Sequence, residues 1–150
     1  MEEGYFYVLI PIVVGGITQA TKFFIFSWKH GLNWNYFFTH GHMPSTHSAF
    51  VTSMIVATGH LAGFNSAAFL VAFSLGIIII DDALRLRMYL GDQGRYLNML
   101  VDSLNLDANK YPRLKERIGH RSSEVIVGLI YGLALAYGFI FLFEKLSWIA

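Results

Sequence analysis

The sequence predicts an all-α fold, a small integral membrane helical bundle of about four transmembrane helices plus one amphipathic interfacial helix. Three observations lead there. Of the 150 residues, 55% are hydrophobic and only 14% are charged, against roughly 25% charged in an average soluble domain. Mean hydropathy is +0.48. Four apolar stretches stand out along the chain. The length fits one transmembrane helical domain over residues 1–150.

The first stretch, from about Tyr5 to Trp28, exceeds the roughly 20 apolar residues that a bilayer crossing needs. The acidic start Met-Glu-Glu-Gly argues against a cleaved signal peptide, so this segment is expected to be retained as a helix. The second, Ser48 to Phe64, is short and carries Thr52, Ser53, Thr58 and His60. The third runs from Ala67 to about Leu84, and the fourth from Val125 to Phe143. In the fourth, Gly128, Gly132 and Ala136 recur every four residues, a small-residue spacing that lets helices approach closely in lipid. The longest polar stretch, Gly91 to Ser123, holds an amphipathic piece with Tyr96, Leu97, Met99, Leu100 and Leu104 on one stripe. It is expected at the membrane surface, with a turn after it at Pro112.

Composition also excludes classes. The apolar content rules out a disordered chain, a coiled coil and a disulfide-stapled module. A formal net charge of +1 makes no case for nucleic acid. Without cysteine there is no thiolate metal site and no thiol nucleophile.

Four crossings put both termini on one side. The opposite side then receives Lys22, Lys29, Arg85, Arg87, Arg95, Lys110, Arg113, Lys115, Arg117 and Arg121, against Lys145 alone with the termini. By the positive-inside rule the cation-rich side is cytoplasmic and both termini lie outside. Setting aside Lys22, Lys29, Arg85, Arg87 and Arg121 as candidate site residues still leaves five against one.

Ionisable residues within apolar spans are functional candidates. Gly15, Gln19, Lys22 and Lys29 share a face of the first helix. Lys22 either snorkels to the surface or serves a site. Asp81 and Asp82 follow four isoleucines, with Arg85 and Arg87 close behind. They read either as ion pairs at a helix end or as a site in which Asp82 orients a catalytic group and Arg87 holds an anion. Before the second span, Pro44, Ser45 and Thr46 suit a helix start whose backbone N–H groups bind phosphate, and His47 adds a proton donor there. His120 and Glu124, four apart, are neighbours on one helical face, where the carboxylate can fix the imidazole tautomer. The topology sends all four clusters to the same side. Two histidines, one backed by a carboxylate, among Lys and Arg match the needs of phosphoryl transfer.

These residues resemble a known family. Pro44-Ser45-Thr46-His47 is similar to the P-S-x-H motif of the type-2 phosphatidic acid phosphatase and vanadium haloperoxidase superfamily, and His120-x3-Glu124 to its H-x3-D motif. The closer resemblance is to that superfamily's divergent branch of small membrane proteins, known as acid phosphatase/haloperoxidase-related. The branch reads G-G-M-P-S-S-H-S-A where this chain has Gly41 to Ala49. Asp82, Ala83, Arg87, Gly91, Gln93, Leu97 and Asn98 fall in register with two further motifs, and Ile118-Gly119-His120 through Glu124-Val125 with a third. The similarity covers about residues 20 to 128.

The resemblance implies His120 as nucleophile through a phosphohistidine, oriented by Glu124, with His47 protonating the leaving alcohol. Asp82 joins the catalytic set. Lys22, Lys29, Ser45, Thr46, Arg87, Gln93 and Asn98 are the expected substrate-binding residues, and no metal or other cofactor is implied. The chain departs from the superfamily in three places. Lys29 and His30 stand where K-x6-R-P has Arg and Pro, Leu114 stands six residues before His120 where Arg is expected, and Glu124 replaces Asp. Lys29, Arg113 or Arg87 could supply the missing cations.

The expected activity is therefore a metal-independent membrane phosphatase acting on a phosphomonoester or diphosphate of a lipid, with membrane lipids as its surroundings. Two alternatives remain. One is a non-catalytic lipid-phosphate-binding or scaffold protein. The other is a phosphotransferase using a metal held by Asp81, Asp82, Asp92 and Asp102. Four short spans make a small bundle, for which a homodimer is one way to complete a cleft.

Overall fold

The computed structural model describes residues 4–32, 34, 43–107, 109–116, 118, 119 and 121–147. Among these residues five α-helices follow in order: α1 (Gly4–His30), α2 (Thr46–Ala62), α3 (Ala67–Asp81), α4 (Arg87–Ser103) and α5 (Ser122–Ser147). A π-helical turn, Asp82–Leu86, joins α3 to α4 without a break. The third span and the amphipathic piece are thus one helical stretch of 37 residues, about 55 Å of helix axis against a hydrocarbon core of about 30 Å. The third span was expected to end near Leu84, and no residue there stops a helix. Asp82 to Leu86 contains neither Gly nor Pro, so the backbone absorbs the change from apolar to polar sequence by widening.

Helices α2, α1 and α5 form the core, with Ile10, Val14, Ala49, Ala57, Ala136 and Ile140 buried between them. α2 lies antiparallel to α1: Thr46 meets Gln19, Phe50 lies over Gly15, and His60 stacks on Tyr7. It runs parallel to α5, with Ser45 beside Gly128, Ala49 beside Gly132 and His60 bonded to Glu144 at 2.8 Å. α3 returns along α2, where Gly76 seats Ile55 and Gly59 seats Phe69. Thr21 and Tyr131 join α1 to α5 through their hydroxyls at 2.9 Å.

The burial pattern is inverted relative to a soluble bundle. Thr18, Ser45, Ser48 and Ser53 are fully buried, whereas Phe24, Leu70, Val71, Ile78, Ile130 and Phe141 are exposed. Large apolar groups outside and small or hydroxylated ones at helix contacts are what lipid solvation favours. These four hydroxyls find partners within the helices: Thr18 and Ser53 donate back to the carbonyls of Val14 and Phe50, and Ser48 donates to Ser45 Oγ. The expected small-residue face of α5 is realised: a Cβ on Gly128 would come within 2.6 Å of the Ser45 carbonyl oxygen, and one on Gly132 would overlap the Ala49 backbone.

Among the described residues, three helical stretches are long and apolar enough to cross a membrane: Phe6–His30, Ala67–Ser103 and Ser122–Leu146. The remaining expected span, α2, has 17 residues, about 25 Å. It is packed against α1, α3 and α5, which explains its polar content. A helix surrounded by protein does not need a lipid-facing side chain at every position.

Candidate functional site

The antiparallel packing brings the C-terminal half of α1, the start of α2, the π turn and the start of α5 to one end of the bundle. Ser45 is the joint there. It caps α2 with extended backbone, and its Oγ accepts from Ser48 N at 3.4 Å and from Ser48 Oγ at 3.0 Å. Its own N–H donates to the Glu124 carbonyl at 3.1 Å, tying the start of α2 to the start of α5. The next residue, Thr46, donates its hydroxyl to Gln19 Oε1 at 2.8 Å, tying α2 to α1. The first turn of any helix presents N–H groups with no intrahelical acceptor. Here that turn is clamped between two neighbouring helices.

Lys22 lies one turn beyond Gln19 on the same face of α1 and is only 5% exposed. Its ammonium feels the carboxylate of Glu124. This burial favours the site reading over snorkelling. Glu124 is half-buried, and its Oε2 accepts from the Arg121 N–H at 3.3 Å. An acidic side chain in the first turn of α5 also complements the helix dipole.

At the π turn, Arg87 Nε donates to Asp82 Oδ2 at 2.7 Å. In an α-helix, residues five apart point about 140° from one another. The wider turn brings Asp82 and Arg87 to one side, and the Arg87 backbone N–H also reaches the Asp82 carbonyl. Both side chains remain about a third exposed, so the guanidinium is held but accessible. Gly119, at φ 116°, lies against this pair: a Cβ there would come within 3.2 Å of Arg87 Cβ. The segment that leads into α5 therefore crosses directly over Arg87. His120, the next residue in the sequence, lies outside the described residues, as do Gly41, His42 and Arg117.

Ser45, Thr46 and Glu124 are thus joined by hydrogen bonds across α1, α2 and α5, with buried Lys22 one turn beyond Gln19 on α1 and with Asp82, Arg87 and Gly119 beside them where α5 touches the π turn. His47 is exposed on the first turn of α2. Lys29 is exposed near the end of α1, seven residues beyond buried Lys22. Gln93 is exposed on α4. Asn98 is buried on a different face of α4, its amide bonded to Leu114 and Glu116. Arg113, considered as a replacement cation, is bonded to Asp102 at 2.7 Å and lies 4.0 Å from Glu116. Asp81, Asp82, Asp92 and Asp102 pair with Arg85, Arg87, Arg95 and Arg113 respectively. Among the described residues no three His, Asp or Glu side chains are grouped as metal ligands would be.

Sequence reasoning did not find the Gln19–Thr46 bond or the seat formed by Gly91 and Gly94. The latter had a signal: Gly91, Gly94 and Asn98, spaced three and four apart, mark one helical face. The Ser27 hydroxyl, buried and without a hydrogen-bond partner among the described residues, had none.

The chain is 31% identical over 147 residues to the uncharacterized membrane protein YuiD of Bacillus subtilis (strain 168), covering 87% of this chain and 92% of that relative. No solved structure gives a significant match. A family model described as the divergent PAP2 family matches residues 5–135. This membrane protein belongs to the divergent PAP2 family.

Proposed function

We infer that the protein is a lipid phosphatase that removes a phosphoryl group from a phosphomonoester or diphosphate through a phosphohistidine on His120. The observation that carries this reading is the meeting of Lys22, the capped start of α2 and Glu124 beside the Asp82–Arg87 pair at one end of the bundle. Lys22 and Arg87 neutralise the phosphate oxygens, and because the Ser45 N–H is taken by the Glu124 carbonyl, the backbone donors come from the first turn of α2 beginning at Thr46. Arg87 presents a planar fork that the ammonium of exposed Lys29 lacks, and Arg113 is bonded to Asp102, fifteen residues along the helix from Arg87 and so about 22 Å away, which makes Arg87 the better substitute for the superfamily's missing arginines.

The chemistry runs in two steps. A ring nitrogen of His120, oriented by Glu124, attacks phosphorus while the bond to the leaving oxygen breaks. His47 gives that oxygen its proton. Water then attacks the phosphohistidine, His47 takes a proton from the water, and inorganic phosphate departs with His120 restored.

The cation-rich end of the bundle holds this site, so the positive-inside rule orients it toward the cytoplasm with both termini outside. That orientation favours lipids whose phosphate lies at the cytoplasmic headgroup level. Rapid quench of the protein with substrate, followed by mass spectrometry, tests the reading. An acid-labile phosphate on His120 that is absent from His120→Ala supports it. Turnover with no phosphoenzyme, or with phosphate on another residue, contradicts it.

A further inference from the structure

One face of α4 is built to hold the polypeptide that returns to α5. Asn98, 5% exposed, makes three hydrogen bonds to that segment. Its Nδ2 donates to the Leu114 carbonyl at 3.0 Å and to Glu116 Oε1 at 2.8 Å, and its Oδ1 accepts from Leu114 N at 3.0 Å. One and two turns earlier on the same face, Gly94 and Gly91 admit the backbone itself. A Cβ on Gly94 would come within 2.7 Å of the Lys115 carbonyl oxygen, and one on Gly91 within 2.6 Å of that of Glu116. The segment thus runs antiparallel along α4, from Asn98 past Gly94 and Gly91, and arrives with Gly119 against Arg87 and Met88. Arg113 and Asp102 fasten its outer end.

We propose that Asn98 is a positioning residue. By clasping Leu114 and Glu116 onto the Gly91–Gly94 face, it sets where Gly119 sits on Arg87. The physical basis is that an extended segment has no internal hydrogen bonds of its own. Its position is fixed only by what it bonds to, and an amide offers a donor and an acceptor to one peptide unit at once. A substrate-holding role would need the donors that Leu114 and Glu116 already occupy. The inference rests on the phosphatase reading only for its kinetic arm.

The test uses the full-length protein in detergent, with Asn98→Ala, Asn98→Asp and the exchanged pair Asn98→Asp with Glu116→Gln. Amide hydrogen exchange is followed in the peptide covering residues 111–116, with α5 peptides as the fold control. In Asn98→Ala, exchange at residues 111–116 should rise by roughly tenfold or more while α5 stays protected. Asn98→Asp keeps an acceptor for Leu114 but repels Glu116, so it should loosen the same segment. The exchanged pair, which restores a donor and an acceptor between the two side chains, should recover protection. In the kinetic arm, Asn98→Asp should lower kcat by roughly 10- to 100-fold with little change in KM, and the exchanged pair should regain most of it. Unchanged exchange in residues 111–116 overturns the proposal, and so does a rise in KM at constant kcat. If the wild-type protein turns over no lipid phosphate, the phosphatase reading fails, while the exchange arm still decides whether Asn98 is the clasp.

Discussion

Arg87 donates through Nε to Asp82 at 2.7 Å across a π-helical turn, although five residues separate them. The pair exists because the helix widens there, since regular α-helical geometry would turn the two side chains apart. The carboxylate holds the guanidinium at the end of the bundle and leaves it partly exposed. This gives the first prediction. Arg87→Ala should reduce phosphate release by about 100-fold or more, as loss of a charge-assisted phosphate contact does, with the thermal unfolding midpoint little changed. Asp82→Asn should cost less, and the double variant should be no worse than Arg87→Ala, because Asp82 acts through Arg87. Steady-state kinetics of the three variants checks this.

Lys22 is buried in α1 one turn beyond Gln19, which bonds the start of α2. Lys22→Met keeps the length of the side chain and removes the charge. Vanadate, as a phosphate mimic, should bind at least about tenfold more weakly to this variant, measured by calorimetry in detergent. Equal affinity would remove Lys22 from the phosphate site.

The helix contacts predict a contrast between two glycines. Gly132 on α5 touches the Ala49 backbone, whereas nothing lies within 4 Å of a Cβ built on Gly16. Gly132→Val should destabilise the bundle by about 3 kcal/mol or more through overpacking. Gly16→Ala should be neutral or stabilising by up to about 1 kcal/mol, since alanine is the better helix former. Thermal unfolding of both variants in one detergent gives the comparison.

At the opposite end of the bundle, His60 and Glu144 bond at 2.8 Å with both side chains more than a third exposed. A contact between side chains this exposed contributes at most about 1 kcal/mol. Glu144→Gln should therefore leave catalysis intact and shift the unfolding midpoint by only a few degrees. A large loss of activity would show that this end of the molecule takes part in the reaction.

Much of this arrangement was legible in the chain. Apolar runs marked the spans, and the four-residue recurrence of Gly128, Gly132 and Ala136 marked the α2–α5 contact, because close approach in lipid requires small residues at helical spacing. Lys22, Asp82 and Arg87 stand out as charged groups at the ends of apolar spans, Ser45 and Thr46 as a capped helix start, and Glu124 as the neighbour of His120 on one helical face. The continuity of α3 with α4 was not legible. A π turn has no residue signature of its own, and the change from Ile77–Ile80 to polar sequence looks like a helix end. Asn98 could be ranked only by resemblance, since its partners at Leu114 and Glu116 are 16 and 18 residues away in the chain. Hydrogen bonds to an irregular segment leave no periodic trace.

The most direct measurement is phosphate release by the purified protein in detergent, on a panel of lipid phosphates in the presence of a chelator, with His120→Ala alongside. The account predicts release that persists in chelator, is blocked by vanadate and vanishes in the variant. No release from any lipid phosphate, with or without added Mg²⁺, would contradict it and leave an anion-binding membrane protein in its place.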